Sequence, residues 1–273
     1  MTFTEERLVK KMLAVVAVVL LALGGLAAPA AGASAKKGVS ANPYSGAATA
    51  LKDVGAKWFY TWAADPQGIA VPSGTEFVPM IWGRDSVTQD QLDRAKANGR
   101  TLLAFNEPDL AGQASMPVET ALDLWPRLQS TGLRLGAPAV AYGGDVAGGW
   151  LDRFMSGAAA RGYRVDFIPL HWYGGDFSSA ASGQLQSYLQ KVHDRYHLPI
   201  WLTEYALIDF SGSSPRYPSS AQQVDFVQRS TAMLEGQSFV ERYAWFSLST
   251  STSPTGLYSG TTPNASGVAY RAV

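Results

Sequence analysis

Two glutamates in this sequence each follow a short apolar run directly. Residues 102–105 (LLAF) lead into Asn106 and Glu107, and residues 200–203 (IWLT) lead into Glu204. Two carboxylates that face one cleft can act on an acetal, one as proton donor and the other as nucleophile. A single glutamate in such a place is often a loop carboxylate or the partner of an arginine, but two in equivalent places indicate shared chemistry. We therefore predict Glu107 and Glu204 as a catalytic pair.

Other acidic residues fit this chemistry less well. Glu76 and Asp166 precede their predicted strands, which places them at the opposite ends of those strands. Asp109 and Asp209 follow the two glutamates closely, and we expect them to orient loops.

Further polar residues stand close to the same strand ends. Asn106 could bind the 2-hydroxyl of the cleaved sugar, or it could be only a turn residue before Pro108. His171 and Tyr173 follow the apolar run 165–170 and could donate hydrogen bonds to a carboxylate or to sugar hydroxyls. The alternative for His171 is a histidine of the core.

Aromatic side chains also point to a sugar ligand. Six of the eight tryptophans lie in or at the ends of predicted strands, and aromatic faces offer apolar area to the flat C–H faces of sugars. Trp58, Tyr60 and Trp62 share one side of a strand by alternation, with Trp58 deepest and predicted to be core. Any one of the tryptophans could instead be core. The predicted substrate-binding set is Asn106, Tyr60, Trp62, Trp82, His171, Tyr173, Tyr205 and Trp245.

The sequence does not indicate a metal or a cofactor. It contains no cysteine, which excludes disulfides, thiolate zinc sites and a thiol nucleophile. His193 and His197 have the i, i+4 spacing of metal ligands on a helix, but that helix ends before Pro199, away from the strand ends that carry the other candidates. The glycine patterns of dinucleotide and phosphate loops are also missing from the sequence.

These residues need a scaffold that gathers several strand ends, and the order of the elements predicts one. Short β-prone runs alternate with helical patterns about eight times after residue 35. Alternating strands and helices imply a parallel sheet, and eight repeats in about 238 residues favour an α/β fold of the closed (β/α)8 TIM barrel type over an open doubly wound sheet. In such a barrel the active site lies at the carboxyl ends of the strands.

Charge and the amino terminus limit the partners and the location. The 273 residues include 22 basic and 22 acidic side chains, so we predict no nucleic-acid partner. Basic residues precede an apolar run at 12–26, and A-x-A patterns follow at 31–35. We predict a secretory signal peptide over residues 1–35, with an uncleaved membrane anchor as the alternative. Residues 36–273 would then be one catalytic domain, secreted, monomeric and free of the membrane.

Five motifs in order resemble a known family, namely FVPMIWG at 77–83, LAFNEPD at 103–109, VDFI with HWY at 165–173, IWLTE at 200–204 and YAWF at 243–246. Together they are similar to glycoside hydrolase family 128 of clan A. The resemblance implies a retaining endo-β-1,3-glucanase that binds β-1,3-glucan, with Glu107 as acid/base and Glu204 as nucleophile. A glycine-rich loop at 143–149 departs from the pattern. Two alternatives stay open: a barrel hydrolase for mannan, xylan or an exopolysaccharide, and a glycan-binding barrel without catalysis.

Overall fold

The computed structural model describes residues 34–273, so almost all of the predicted signal peptide lies outside the described residues. Eight strands form the wall of the fold. In chain order they are β1 (Lys37–Ser40), β2 (Trp58–Tyr60), β3 (Glu76–Phe77), β4 (Thr101–Leu102), β5 (Arg134–Leu135), β6 (Ile168–Gly174), β7 (Ile200–Leu207) and β8 (Val240–Trp245).

The pairing of these strands closes a ring. Six of them hydrogen-bond in the order β3-β2-β1-β8-β7-β6, and β4 pairs with β5. Single parallel bridges complete the circle, Met80 with Leu103 between β3 and β4, and Gly136 with Phe167 between β5 and β6. Every pairing within the ring is parallel. The predicted (β/α)8 barrel is confirmed.

Helices connect most of the strands on the outside of the ring. They are α1 (Ala47–Asp53), α2 (Gln89–Asn98), α3 (Val118–Gln129), α4 (Trp150–Ala160), α5 (Ala181–Tyr196), α6 (Ser220–Gly236) and α7 (Ala265–Arg271). Residues 61–75 connect β2 to β3 through turns and loops instead of a helix. Among residues 34–273 no helix combines the length and the apolar character needed to cross a membrane.

Helix starts follow local chemistry, with one correction. Ser219 and Gln222 form a reciprocal capping box at the start of α6. Thr262–Pro263 has the sequence pattern of a helix start, with Pro at the first position. The structure instead shows these residues as β10, antiparallel to β9 (Tyr258–Ser259). Asn264 is the N-cap of α7, since its side chain accepts a hydrogen bond of 2.9 Å from the backbone N–H of Gly267.

Large aromatic side chains fill the lower interior of the barrel. The buried interior cluster comprises Trp58, Tyr60, Val78, Met80, Leu103, Phe167, Trp201 and Ala244. Glycines make room for them: a Cβ on Gly38 would lie 2.4 Å from the Trp58 ring, and one on Gly136 would lie 2.6 Å from Phe167. The interior is therefore a packed core whose upper layer supports the mouth.

Ion pairs close the end of the barrel where the strands begin. Arg242 bonds Glu76 at 2.6 Å and lies 4.3 Å above the Trp201 ring. Arg134 bonds Glu241 at 2.7 Å, and Glu241 also accepts a hydrogen bond from the Trp201 indole. Glu76 thus lies at the end opposite the two glutamates, as the sequence predicted.

Candidate active site

A cleft of about 790 Å³ opens at the carboxyl ends of the strands. Both predicted catalytic glutamates lie in it, and both are largely buried, with 7% of Glu107 and 4% of Glu204 exposed. The residues that line the cleft are Asn42, Trp62, Trp82, Asn106, Glu107, Leu110, Gln113, Ala141, Tyr142, Tyr173, Glu204, Phe210, Phe246 and Thr252.

Three hydrogen-bond donors surround the carboxylate of Glu204. Trp62 donates its indole N–H to Oε1 at 2.8 Å, and the Tyr60 hydroxyl donates to the same oxygen at 3.0 Å. The Tyr173 hydroxyl donates to Oε2 at 2.5 Å. Donors of this kind stabilise the ionised form of a carboxylate, which is the form that a nucleophile needs.

The two phenols around Glu204 stay neutral and can only donate to an ionised carboxylate. Burial, and then the negative charge of Glu204, raise the pKa of both Tyr60 and Tyr173 well above the usual value of 10.0. Tyr60 has no exposed surface, so it supports Glu204 from behind and does not contact a ligand in the cleft.

A β-bulge turns Glu204 into the cleft. β7 contains one residue more than its neighbours near Thr203, because Leu202 pairs with Leu170 whereas Glu204 pairs with His171. Trp201 points into the barrel interior, and strict alternation would send Thr203 and Tyr205 inward with it. The extra residue shifts this pattern, so Glu204 faces inward instead.

Glu107 is held by a different backbone device. It has a φ of 45°, the left-handed region that non-glycine residues rarely adopt. Its backbone N–H donates to the carbonyl of Ala139 at 2.7 Å, and its own carbonyl accepts from the backbone N–H of Leu110 at 3.1 Å. The left-handed residue ends the strand direction of β4 and projects the carboxyl into the cleft, a conformation that costs free energy and is typical of functional sites.

His171 lies between the two carboxylates. Its Nδ1 is 2.8 Å from Oε1 of Glu107 and 3.5 Å from Oε2 of Glu204. Burial alone would lower the pKa of His171, but the charges of Glu204 and Glu107 outweigh burial and raise that pKa above its usual value of 6.5. With 1% of its surface exposed, His171 contacts the two carboxylates and, like Tyr60, is not among the cleft-lining residues. The prediction that these two residues bind substrate is therefore corrected: they support the carboxylates.

The distance between the two glutamates is short. One atom each of Glu107, His171 and Glu204 lies within 4.8 Å of the others, a spacing that could also suit a metal ion. Hydrogen bonds already account for the arrangement, since a metal there would have to replace the Nδ1 proton of His171. The geometry suits two carboxyl groups that act on opposite sides of one sugar carbon.

Aromatic side chains form the walls of the cleft. Trp62 and Trp82 line it, as predicted, and each is partly exposed. Trp62 also has a left-handed backbone, with φ 57°. Asn106 lines the cleft beside Glu107 and donates to Gln113 at 3.3 Å, while its buried Oδ1 has no hydrogen-bond partner among the described residues. That oxygen is free to accept a hydrogen bond from a sugar hydroxyl.

Two predicted substrate ligands lie elsewhere. Tyr205 and Trp245 have no exposed surface, and their rings contact each other at 5.0 Å between centroids. Trp245 donates its indole N–H to the carbonyl of Thr255. Both residues immediately flank inward-facing positions, Glu204 and Phe246, so their side chains point outward to the helices. The prediction that they bind substrate is corrected: they belong to the outer core.

Several cleft residues were missing from the predicted set. Phe246 could have been found by alternation, because it continues the inward series of Arg242 and Ala244 on β8. Leu110, Tyr142 and Phe210 are exposed by 37%, 70% and 57%. These three lie in loops, where no periodic pattern marks them. The remaining unpredicted lining residues are Asn42, Gln113, Ala141 and Thr252.

Asp109, His193 and His197 were not assigned to the catalytic site by the sequence, and none of them lines the cleft. Asp109 accepts a hydrogen bond of 2.8 Å from the backbone N–H of Ala141 and so orients a loop. His193 stacks on Phe239 at 4.4 Å, and His197 has a left-handed backbone at the end of α5. Their ring centroids are 6.3 Å apart and perpendicular.

Comparison with known proteins places this geometry in a family. Residues 38–270 match the family model described as glycosyl hydrolase catalytic core. A protein of Schizosaccharomyces pombe, alkali-sensitive linkage protein 1, is 34% identical over 204 residues, which are 72% of this chain. The chain spans only 35% of the length of that protein.

Solved structures are similar over nearly the whole described chain. An endo-β-1,3-glucanase of glycoside hydrolase family 128, subgroup I, from Amycolatopsis mediterranei, in complex with laminaritriose, is 83% identical with a TM-score of 0.87. The match covers 88% of this chain and 99% of that one. A subgroup III exo-β-1,3-glucanase from Blastomyces gilchristii, described as curdlan-specific, is 27% identical with a TM-score of 0.72, over 89% and 100% of the two chains.

Other structures of the Amycolatopsis enzyme carry substitutions at either of two glutamates, 97 positions apart. Glu107 and Glu204 have the same separation. The family model, the shared fold and these paired glutamates agree. The chain therefore belongs to the glycosyl hydrolase catalytic core family and, within it, to glycoside hydrolase family 128.

Proposed function

We propose that this protein is an endo-β-1,3-glucanase that cleaves its substrate with retention of anomeric configuration. One observation carries the mechanism: carboxylate oxygens of Glu107 and Glu204 lie within 4.8 Å of each other. Retaining glycosidases have carboxyl groups about 5–5.5 Å apart, whereas inverting enzymes need about 6.5–9.5 Å to admit a water molecule. The cleft has no such room between the two groups.

In the first step, Glu204 attacks the anomeric carbon while the glycosidic C–O bond breaks. Glu107 gives its proton to the departing oxygen, so the leaving sugar departs as a neutral alcohol and a glycosyl-enzyme ester remains on Glu204. Tyr60, Trp62 and Tyr173 donate hydrogen bonds to the attacking carboxylate and orient it before this step.

In the second step, Glu107 is a carboxylate and accepts a proton from water. The water oxygen bonds to the anomeric carbon, and the bond to Glu204 breaks with its electron pair returning to the carboxylate. The three donors around Glu204 then stabilise the charge that reappears there. Two inversions at one carbon give net retention.

The choice of β-1,3-glucan rests on relatives and on the cleft. The Amycolatopsis enzyme with 83% identity is an endo-β-1,3-glucanase bound to laminaritriose. The partly exposed faces of Trp62, Trp82 and Phe246 offer apolar area for sugar rings. Product analysis on laminarin, curdlan, xylan and mannan tests the choice. Internal cleavage of laminarin to oligosaccharides is expected, and cleavage of xylan or mannan with laminarin untouched would refute it.

Azide distinguishes the roles of the two glutamates. With an activated aryl glycoside, Glu107→Gln should accumulate the glycosyl-enzyme, because no base activates water, and azide should rescue it as a β-glycosyl azide. Glu204→Gln should lose activity by several orders of magnitude, and azide should give the α-product in place of the missing nucleophile. Glu119→Gln, on the exposed face of α3, is the matched control. If Glu107→Gln gave the α-azide and Glu204→Gln the β-azide, the roles assigned to the two glutamates would have to be exchanged.

We also propose that the protein is exported and acts as a monomer. Export is supported by the amino-terminal sequence pattern, with basic residues before an apolar run at 12–26 and A-x-A patterns at 31–35. Amino-terminal sequencing of secreted protein should begin near Ser34 or Lys36, and full-length protein in the membrane fraction would contradict export. Light scattering should give the mass of one chain, and a dimer mass would contradict the monomer.

A further inference from the structure

A short hairpin follows β7 at the rim of the cleft. Asp209 and Arg216 pair antiparallel, with backbone hydrogen bonds of 2.9 Å in both directions. Their side chains pair as well: Nε of Arg216 donates to Oδ2 of Asp209 at 2.9 Å, and its Nη2 donates to the same oxygen. The other oxygen, Oδ1, accepts from the backbone N–H of Ser211 at 2.8 Å. The 209–216 hairpin is therefore closed by backbone and side-chain bonds between the same two residues.

The hairpin presents one large apolar side chain to the cleft. Phe210 lines the cleft, yet 57% of its surface is exposed. Its ring meets the edge of Tyr173 at 5.5 Å between centroids, and Tyr173 in turn bonds Glu204. Exposed apolar side chains that gather around one cleft mark a surface for a ligand, and Phe210 joins Leu110 and Tyr142 there. Its place beside Tyr173 puts that ligand on the Glu204 side of the cleft.

Asp209 and Arg216 do not line the cleft themselves. Asp209 is 5% exposed, and its Oδ1 lies 3.2 Å from the position of a Cβ on Gly175, so the carboxylate fills a confined space under the hairpin. The Arg216 side chain is 71% exposed, although its guanidinium stays on Asp209. Neither residue lines the cleft, so any effect on a ligand has to act through Phe210, which follows Asp209 in the hairpin.

We propose that Asp209 and Arg216 are positioning residues that hold Phe210 as a platform for the glucan chain beside the nucleophile. The inference rests on the proposed glucanase function and adds a specificity element to it. With the hairpin closed, the Phe210 ring is already placed when a sugar arrives, and the entropy of ordering it is not lost on binding. With the hairpin open, the loop would have to be ordered by each substrate.

The pairing of Asp209 with Arg216 does not depend on pH near neutrality. Hydrogen bonds from Ser211, and then the Arg216 guanidinium, lower the pKa of Asp209 to about 2. Three residues lie against the Asp209 carboxylate: Arg216 on the same hairpin, Ser211 and Gly175. Of these, only Arg216 carries a charge. The hairpin thus supplies a fixed wall and does not act as a pH switch.

A double-mutant cycle on laminarin and laminarihexaose tests the proposal. Phe210→Ala should raise KM roughly two- to tenfold, the effect of losing one aromatic contact, with kcat little changed. Arg216→Ala should raise KM in the same direction by a smaller factor. The double variant should match Phe210→Ala alone, because Arg216 acts only through that ring. Arg216→Lys keeps the charge but loses the two-nitrogen geometry, so its KM should lie between those of the wild type and Arg216→Ala.

Controls separate positioning from general stability. Arg229→Ala breaks an exposed ion pair with Asp225 on α6, distant from the cleft-lining residues, and should leave KM and kcat unchanged. Melting temperatures of all variants identify loss of folding. An unchanged KM in Arg216→Ala would overturn the proposal, and so would independent, multiplying effects in the double variant. Failure of the wild-type protein to cleave laminarin would instead refute the proposed function, so the two failures are distinguishable.

Discussion

Tyr173→Phe isolates the contribution of one hydrogen bond to the nucleophile. The substitution keeps the ring, which contacts Phe210 and Phe246 edge-on at 5.5 Å each. It removes only the hydroxyl, which donates to Oε2 of Glu204 at 2.5 Å. The cleft wall is therefore preserved, and the change acts on the carboxylate alone.

The size and the place of the effect follow from the charge on Glu204. A hydrogen bond to a charged group contributes about 1.5–3 kcal/mol, which corresponds to about ten- to 150-fold in rate. The bond is present in the free enzyme and weak in the ester intermediate, and it re-forms as the carboxylate leaves. Its loss therefore slows the second step most, so kcat should fall by that factor while KM does not rise.

Steady-state and burst kinetics on laminarin-derived aryl glycosides measure this effect. A slowed second step should produce a burst of aglycone followed by a slow phase. The control is Tyr258→Phe, because the Tyr258 hydroxyl also donates to a carboxylate, Asp53 at 2.7 Å, and neither residue lines the cleft. That control should lower stability and leave kcat unchanged. A kcat of Tyr173→Phe within about twofold of wild type would refute the assigned role, and a raised KM with normal kcat would make Tyr173 a sugar ligand.

Two further predictions concern His171 and the outer core. The charges of Glu204 and Glu107 raise the pKa of His171 above 6.5, so its ion pairing stabilises the fold below about pH 6.5 and is lost as pH rises through the raised value. Melting temperatures of wild type and His171→Gln should differ most near pH 6 and converge at higher pH; a constant difference would contradict this. Trp245→Phe should lower the free energy of unfolding by about 1–3 kcal/mol in urea titrations, because it loses buried area and the bond to Thr255. Its KM for laminarin should stay unchanged, and a raised KM would return Trp245 to the binding site.

The catalytic pair was predictable because its pattern is local. An apolar run followed by a glutamate identified Glu107 and Glu204, and alternation placed Tyr60 of β2 and Trp62, two residues beyond it, on the inner side of the barrel wall. On β7, strict alternation from Trp201 would turn Tyr205 inward in place of Glu204. A bulge near Thr203 adds one residue to β7, and the strand continues to Leu207, beyond the predicted end. Bulges depend on pairing with neighbouring strands, which a single sequence does not display.

The other cleft-lining residues that the sequence did not reveal lie mostly in loops, where side chains show no periodic hydrophobic pattern. Phe210 reaches the cleft because Asp209 and Arg216 close a hairpin seven residues apart, and Tyr142 reaches it from the connection after β5. Their positions depend on tertiary contacts instead of on periodicity. Thr262–Pro263 shows the same limit. The sequence there has the pattern of a helix start, but the two residues form β10, which pairs with β9.

The uneven pairing of the barrel has a consequence for local unfolding. Glu204 lies on the eight-residue β7, which has partners on both sides, whereas Glu107 follows the two-residue β4, which reaches β3 through a single bridge. Amide hydrogen exchange reports the free energy of such local opening. We expect amides around β4 and β5 to exchange well before those of β7. The half of the barrel that carries the proton donor would then open locally more often than the half that carries the covalent intermediate.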